Sequence, residues 1–175
     1  MNVELLAPAG SFEGLKTALC FGADAVYCGG PMLQLRAGSS SFSFDGLKKA
    51  VDYTHSLGKK LYVTVNCFAN NDEIPLVGAY GAGLLEIGVD AVIVSDLGVL
   101  AELREKCPSL EVHISTQANT QNYKTIEMWH SLGAKRVVLG REMTMTEIER
   151  LKGKIPSDCE IEVFVHGAMC MAYSG

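Results

Sequence analysis

One phrase recurs along the chain and limits what it can fold into. A helix-like segment ends at glycine, a small or charged pair follows, and a short β-branched run comes next. Gly22-Ala23-Asp24-Ala25-Val26-Tyr27, Gly88-Val89-Asp90-Ala91-Val92-Ile93-Val94 and Gly133-Ala134-Lys135-Arg136-Val137-Val138-Leu139 are three cases. Gly58-Lys59-Lys60-Leu61-Tyr62-Val63-Thr64-Val65 is a close variant. Glycine ends helices in the left-handed conformation, so each phrase reads as helix stop, then strand. Helical spacing of apolar residues covers 12–21, 44–57, 97–106, 122–132 and 146–152. Ser11, Ser43 or Asp45, and Asp96 are the expected N-caps. The span 72–87 is a weaker helix, interrupted by Pro75 and by glycines at 78, 81 and 83. Strands are expected near 4–7, 25–28, 61–65, 91–94, 111–115, 136–139 and 161–165. They are short, Val/Ile/Leu-rich and mostly not alternating, as parallel strands buried on both faces are. Seven strands alternating with six helices predict a parallel α/β sheet.

Two architectures satisfy that alternation. A doubly wound sheet expects a glycine-rich phosphate loop after the first strand. Here that loop is Pro8-Ala9-Gly10-Ser11, and neither G-x-G-x-x-G nor G-x-x-x-x-G-K-[ST] occurs. In a barrel the functional groups sit on the C-terminal ends of the strands. Those ends carry Pro8 and Gly10, then Tyr27, Gly29 and Gly30, then Asn66, then Ser95 and Asp96. Next come Ser115, Gln117 and Asn119, then Arg141 and Glu142, and last His166. The expectation is an α/β fold of (β/α)8 TIM-barrel type, truncated after about the seventh strand. Residues 1–175 then form one partial barrel domain that lacks its last unit. Such a sheet leaves open edges, a reason to pair with another chain as a homo- or hetero-oligomer.

Composition narrows the partners. The chain has 175 residues, 48% hydrophobic and 20% charged, with formal net charge −5. That is a globular composition, and it argues against an extended basic groove for nucleic acid while leaving a local basic patch open. No apolar run approaches the roughly 18 residues of a membrane span, and no secretory signal pattern is visible. A cytoplasmic protein without a membrane partner is expected. Cysteines at 20, 28, 67, 107, 159 and 170 include no C-x-x-C pair, so reduced thiols are expected.

Hydrolase machinery is sparse. There is no G-x-S-x-G elbow and no H-E-x-x-H motif. Cys170 with His166 is an i, i+4 pair that a thiol nucleophile could use, but no third orienting group is evident. Cys170 otherwise reads as a buried thiol or as a ligand of a metal centre. His113, between Val112 and Ile114, reads as a core histidine; His55 and His130 read as surface residues. Trp129 and Met128 are expected to pack the fifth helix. Arg36 opens a serine-rich loop after strand two, where it is either a phosphate contact or a solvated arginine. Gln117, Asn119, Gln121 and Asn122 form a dense amide cluster that either reads base or carbonyl edges or stabilises turns. Arg141-Glu142 is either an internal ion pair or an anion clamp.

The C-terminal stretch Glu162-Val163-Phe164-Val165-His166-Gly167-Ala168-Met169-Cys170, followed by Met-Ala-Tyr-Ser-Gly, resembles a known signature. It runs E-x-F-x-x-G-[SA]-[LIVM]-C-x-x-x-x-G-x-C in the collagenase-like peptidase family, peptidase family U32. This sequence stops two residues before the second cysteine. Glu4-Leu5-Leu6-Ala7-Pro8-Ala9-Gly10, Gly22 to Tyr27, His113 to Asn119 and Gly140-Arg141-Glu142 are similar to the family as well. Within it the chain looks most like the branch that forms 5-hydroxyuridine at the tRNA wobble position with prephenate. The resemblance implies a tRNA substrate, prephenate as co-substrate, and a [4Fe-4S] cluster with Cys170 as a ligand, completed outside this chain. The candidate catalytic residues are Gln117, Asn119, Arg141, Glu142 and His166. Tyr27, Arg36, Asn66 and Ser115 are the candidate substrate-binding residues, and Cys170 is the metal ligand. The competing reading is a metal-dependent peptidase, as the family name says. A third is a non-catalytic truncated barrel domain.

Overall fold

A computed structural model describes residues 3–35 and 41–167. Seven strands alternate with six α-helices in the order the sequence predicts. They are β1 (Leu6–Pro8), α1 (Phe12–Cys20), β2 (Ala25–Gly29), α2 (Phe44–Ser56), β3 (Lys60–Val65), α3 (Ile74–Ile87), β4 (Ala91–Val94), α4 (Leu97–Lys106), β5 (Glu111–Ile114), α5 (Tyr123–Ser131), β6 (Arg136–Val138), α6 (Met145–Lys152) and β7 (Glu160–Glu162). Every neighbouring pair is parallel and the strands follow one another in chain order, β1 to β7. A doubly wound sheet reverses its strand order part-way. This sheet does not, so it is the barrel-type solution.

The punctuation acts as the sequence predicts. Gly22, Gly58, Gly88 and Gly133 all take positive φ, between 67° and 102°, directly before the strands. Ser11, Ser43, Asp96 and Asn122 cap α1, α2, α4 and α5 by accepting from backbone N–H groups, and Thr144 with Glu147 forms a capping box on α6. The weak helix is real and starts at Ile74. Its glycines are the face that meets α4. A Cβ on Gly81 would lie 2.6 Å from Leu103 Cδ2, and one on Gly78 2.8 Å from Lys106 Cγ. Residues that lower the helix signal therefore permit close helix packing.

Every strand but β7 ends within one residue of the expected position. β7 stops at Glu162 rather than 165, because its partner β6 offers only Arg136–Val138 for pairing. After β5 the chain turns into a short 3-10 segment, Thr116–Ala118, which the sequence reading did not include.

Alternate residues of each strand face opposite ways. One set, including Val26, Leu61, Val63, Val92, Val112, Ile114 and Val137, packs against the helices in the main core. Trp129 joins this core and donates from Nε1 to Thr120 Oγ1 at 3.1 Å, whereas Met128 points outward and is exposed, contrary to expectation. The other set is smaller: Ala25, Tyr62, Ala91 and Ile93, with Leu6 and Tyr27 against them. These inward residues share the interior with charge. Arg136 donates to Glu160 from Nε at 2.8 Å and from Nη2 at 2.6 Å, and to Glu4 from Nη1 at 2.6 Å. Tyr62 donates its hydroxyl to Glu4 at 2.9 Å. His113 is fully buried, meets Glu111 at 2.9 Å and lies edge-on to Tyr62, so it is the core histidine its neighbours predict. His55 and His130 lie nearer the surface, paired with Asp90 and Asp158. Five described cysteines are free thiols.

Arg136 thus ties β6 to β7 and to the segment leading into β1. Burial pushes the Glu4 carboxyl up, but the Arg136 and Tyr62 hydrogen bonds outweigh it and hold the carboxyl below its usual range. That contribution is complete above the ordinary carboxylate range and is lost as pH falls through the lowered value. Replacing Arg136 by Leu leaves Glu4 without its main counter-charge, and the expected loss of stability is about 3–5 kcal/mol. Urea unfolding reads it, and the acid-side loss of stability flattens in the variant.

Candidate functional site at the barrel mouth

The C-terminal ends of the strands surround a cavity of about 330 Å³. Each wall is placed by a strand end. β2 contributes Tyr27 and Gly29, β3 contributes Thr64 and leads to Asn66, and β4 contributes Ile93. Ser115 and Gln117 follow β5, Arg141 follows β6, and Glu162 and Phe164 stand at the end of β7. Gly29 leaves room for its neighbour: a Cβ there would fall 1.9 Å from Gln34 Oε1, and the Gln34 amide would have to move. Gln34 instead lies against the strand and donates from Nε2 to the Gly30 carbonyl at 2.6 Å.

Three amide and hydroxyl groups form one unit. Asn66 donates from Nδ2 to Gln117 Oε1 at 3.2 Å, and Ser115 donates its hydroxyl to the same oxygen. Asn66 Oδ1 accepts from the Leu35 backbone at 3.3 Å. Gln117 therefore has its carbonyl held by two strands' worth of donors, while its Nε2 donates to no partner among the described residues. That nitrogen is a fixed donor on the cavity wall. In the same lining the Arg141 guanidinium stacks on Phe164, 4.1 Å from the ring centre. The cavity thus combines amide donors with a cation over an aromatic face.

Glu162 is the carboxylate of the cavity. One of its oxygens, Oε2, is buried without a hydrogen-bond partner, and its nearest cation is Arg136 Nη1 at 3.6 Å. Burial pushes its carboxyl up, Arg136 opposes this, and Glu4 adds to it. Cys28, also on the wall, is a thiol rather than a thiolate: burial pushes it up to about 12.

Five of the expected site residues meet here: Tyr27, Asn66, Ser115, Gln117 and Arg141. Three do not line the cavity. Asn119 takes φ 51° to end the 3-10 turn, and its exposed side chain accepts from Gln121. Glu142 is exposed in the turn before α6, and His166 is exposed four residues past the end of β7. Arg36 and Cys170 lie outside the described residues. Glu162, Thr64, Gln34 and Phe164 are among the wall residues that a reading of strand ends missed. Glu162 and Phe164 carried a signal all the same, since they are the first two fixed positions of the signature, and alternation turns Glu162 the same way as Glu160. Among the described residues no three His, Cys, Asp or Glu side chains gather as a metal site. Their cysteines are dispersed and do not fit an iron–sulfur cluster.

Comparison with known proteins decides the kinship. The model of peptidase family U32 matches residues 10–175. The chain belongs to peptidase family U32. It is 42% identical over 172 residues to tRNA hydroxylation protein P of Escherichia coli (strain K12), covering 98% of this chain and 38% of that protein. It is 36% identical over 174 residues to the 23S rRNA 5-hydroxycytidine C2501 synthase of the same organism, covering 99% of this chain and 26% of that protein. The U32 chain therefore spans about two fifths or less of these relatives. Its backbone is similar to the solved U32 peptidase Mk0906, with TM-score 0.72 at 16% identity over 93% of this chain and 68% of that one. That likeness shows the fold, and it agrees with the barrel-type sheet.

Two outcomes follow from this geometry. Replacing Gln117 by Ala removes wall contacts and costs about 1 kcal/mol in urea unfolding, because Asn66 and Ser115 lose an acceptor. Under native conditions iodoacetamide labels exposed Cys20 first and leaves Cys28 unmodified, as peptide mass spectrometry reads.

Proposed function

We propose that this chain is the substrate-binding barrel of an RNA-modifying enzyme that hydroxylates a pyrimidine base of tRNA, the wobble uridine. The observation that carries the reading is the 42% identity over 98% of the chain to a protein named for tRNA hydroxylation. The cavity supports it in size and chemistry. At about 330 Å³ it is at the low end of small-molecule sites. It suits one base swung out of its strand, held by amides and set against aromatic rings.

The roles are those the walls permit. Gln117, fixed by Asn66 and Ser115, donates to a ring carbonyl. Tyr27 and Phe164 flank the ring. Arg141 supplies positive charge for an anionic group, which suits the carboxylates of prephenate as a co-substrate. The net change replaces the C5–H of the base by C5–OH. This is a two-electron oxidation, and the oxygen donor comes from outside the chain. A [4Fe-4S] cluster would take Cys170 and further thiolates that the described residues do not bring together, so no step is drawn through it.

RNA backbone contact requires local positive charge on a chain of net charge −5. The candidate is a groove apart from the cavity, where the Lys124 and Lys154 ammonium groups stand 5.2 and 4.9 Å from the Tyr123 ring centre near Arg150, with Glu127 paired to Lys124 and Glu147 in the same groove. Among the described residues no helix is long and apolar enough to cross a membrane. We place the reaction in the cytoplasm, where tRNA is found. Among the described residues the peptidase reading finds no activated nucleophile: Ser115 donates to Gln117, and His113 is engaged with Glu111.

Nucleoside mass spectrometry of total tRNA from cells with and without the gene tests the proposal. The expected result is loss of a uridine bearing one extra oxygen, restored by the wild-type gene but not by the Gln117→Ala variant. Unchanged tRNA nucleosides contradict it.

A further inference from the structure

Residues Leu33 to Leu35, in the connection after β2, are held at the cavity against local preference. Leu33 takes φ 58°, in the left-handed region that a bulky side chain seldom adopts. Such a conformation persists only where its surroundings over-determine it. Two hydrogen bonds with the connection after β3 do so here. The Cys67 N–H donates to the Leu33 carbonyl at 3.2 Å, and Asn66 Oδ1 accepts from the Leu35 N–H at 3.3 Å. The Leu33 side chain is buried, and Gln34 beside it joins the cavity lining.

Asn66 is the junction. An amide side chain has one accepting end and one donating end, and a half-turn exchanges them. Its sense is fixed by a neighbour that cannot exchange. The Leu35 backbone N–H only donates, so it takes the Asn66 oxygen. Asn66 Nδ2 is then left for Gln117 and donates to Oε1 at 3.2 Å. Ser115 acts in the same direction. Its oxygen accepts from the Gln117 backbone N–H at 3.4 Å, which leaves the hydroxyl proton for Gln117 Oε1. Two backbone N–H groups thus set the polarity of the Gln117 side chain, and one of them belongs to another connection, more than eighty residues earlier in the chain.

We propose that Asn66 is a positioning residue: it transmits the polarity of the Leu35 N–H to Gln117, so that the cavity presents a donor while Leu33–Leu35 is seated. This rests on the reading of the cavity as a site for a ring that brings a carbonyl acceptor. Asn66 acts on that ring through Gln117. When Leu33–Leu35 lifts away, Asn66 loses the partner that sets its sense, and Gln117 presents either end. Seating of this segment and binding of an acceptor at Gln117 are therefore linked, and each strengthens the other.

The test compares the intact protein with its Asn66→Asp and Asn66→Ala variants. The carboxylate of Asn66→Asp has the shape of the amide but only accepts. It keeps the Leu35 N–H and turns Gln117 Nε2 toward itself, which leaves an acceptor in the cavity. Amide hydrogen exchange at Leu35 is expected to stay near the wild-type rate in Asn66→Asp and to rise about fivefold in Asn66→Ala. Exchange of the Gln117 side-chain amide hydrogens, read by nuclear magnetic resonance, slows about fivefold in Asn66→Asp alone. In tRNA from cells carrying each gene, hydroxylated uridine falls about tenfold with Asn66→Ala and about tenfold further with Asn66→Asp. Seating and modification then rank the two variants in opposite orders. A side chain that only fills space cannot do this, because the isosteric variant would be the milder one in both. The proposal is overturned if the Gln117 side-chain exchange is unchanged in Asn66→Asp, or if Asn66→Asp modifies tRNA better than Asn66→Ala. Should Asn66→Ala fail to fold, the Gln117 exchange in Asn66→Asp decides alone. Unmodified uridine in wild-type cells sinks the hydroxylation reading instead, and the two exchange measurements still decide this one.

Discussion

The structure depends on one guanidinium. Arg136 is buried on β6, yet it holds Glu160 on β7 and Glu4 ahead of β1, the two ends of a sheet whose hydrogen bonding runs from β1 to β7 in order. Backbone pairing alone accounts for neighbours; the Arg136–Glu4 pair spans the interior between strands that are not neighbours. Tyr62 adds a hydrogen bond from the third strand and lies beneath the guanidinium, whose carbon is 5.4 Å from its ring centre. A buried ion pair of this sort is weak as a source of net stability and strong as a constraint on geometry. Here the geometry it fixes is that of the interior from which Glu162 rises into the cavity lining.

That interior determines the chemistry above it. Arg136 directs its short bonds downward and sideways, and Glu162, one pleat higher on β7, receives only a long-range share. The result is a carboxyl in the cavity lining that burial and the Glu4 charge push up and Arg136 opposes. Site and scaffold are therefore coupled: a change to the interior alters the acid–base state of the wall.

Much of the fold is legible in the sequence, because the repeated glycine phrase states helix end and strand start four times, and all four glycines take the left-handed conformation. The capping residues likewise act locally, so Ser11 and Asp96 are readable from their neighbours alone. What escapes is non-local. The glycines of α3 look like helix breakers until α4 is placed against them. Asn119 looks like a site amide, but the left-handed turn it ends directs it away from the cavity. Gln117, two residues earlier, is recruited because Asn66 on another strand fixes it. Glu162 is legible only as the first residue of the signature; its environment is made by Glu4 and Arg136, more than twenty residues away in the chain. Arg36 and Cys170 lie outside the described residues, so their expected roles stand as read from the sequence.

The central claim is that the cavity at the strand ends receives a single pyrimidine base. Photocrosslinking tests it most directly. A tRNA anticodon hairpin with one 5-bromouridine at the wobble position is irradiated with the intact protein, and the modified residues are read by peptide mass spectrometry. The account predicts crosslinks at Tyr27 or Phe164, the aromatic walls, abolished by competing unmodified hairpin. Crosslinks confined to the outer helices, with none in the cavity, would contradict it.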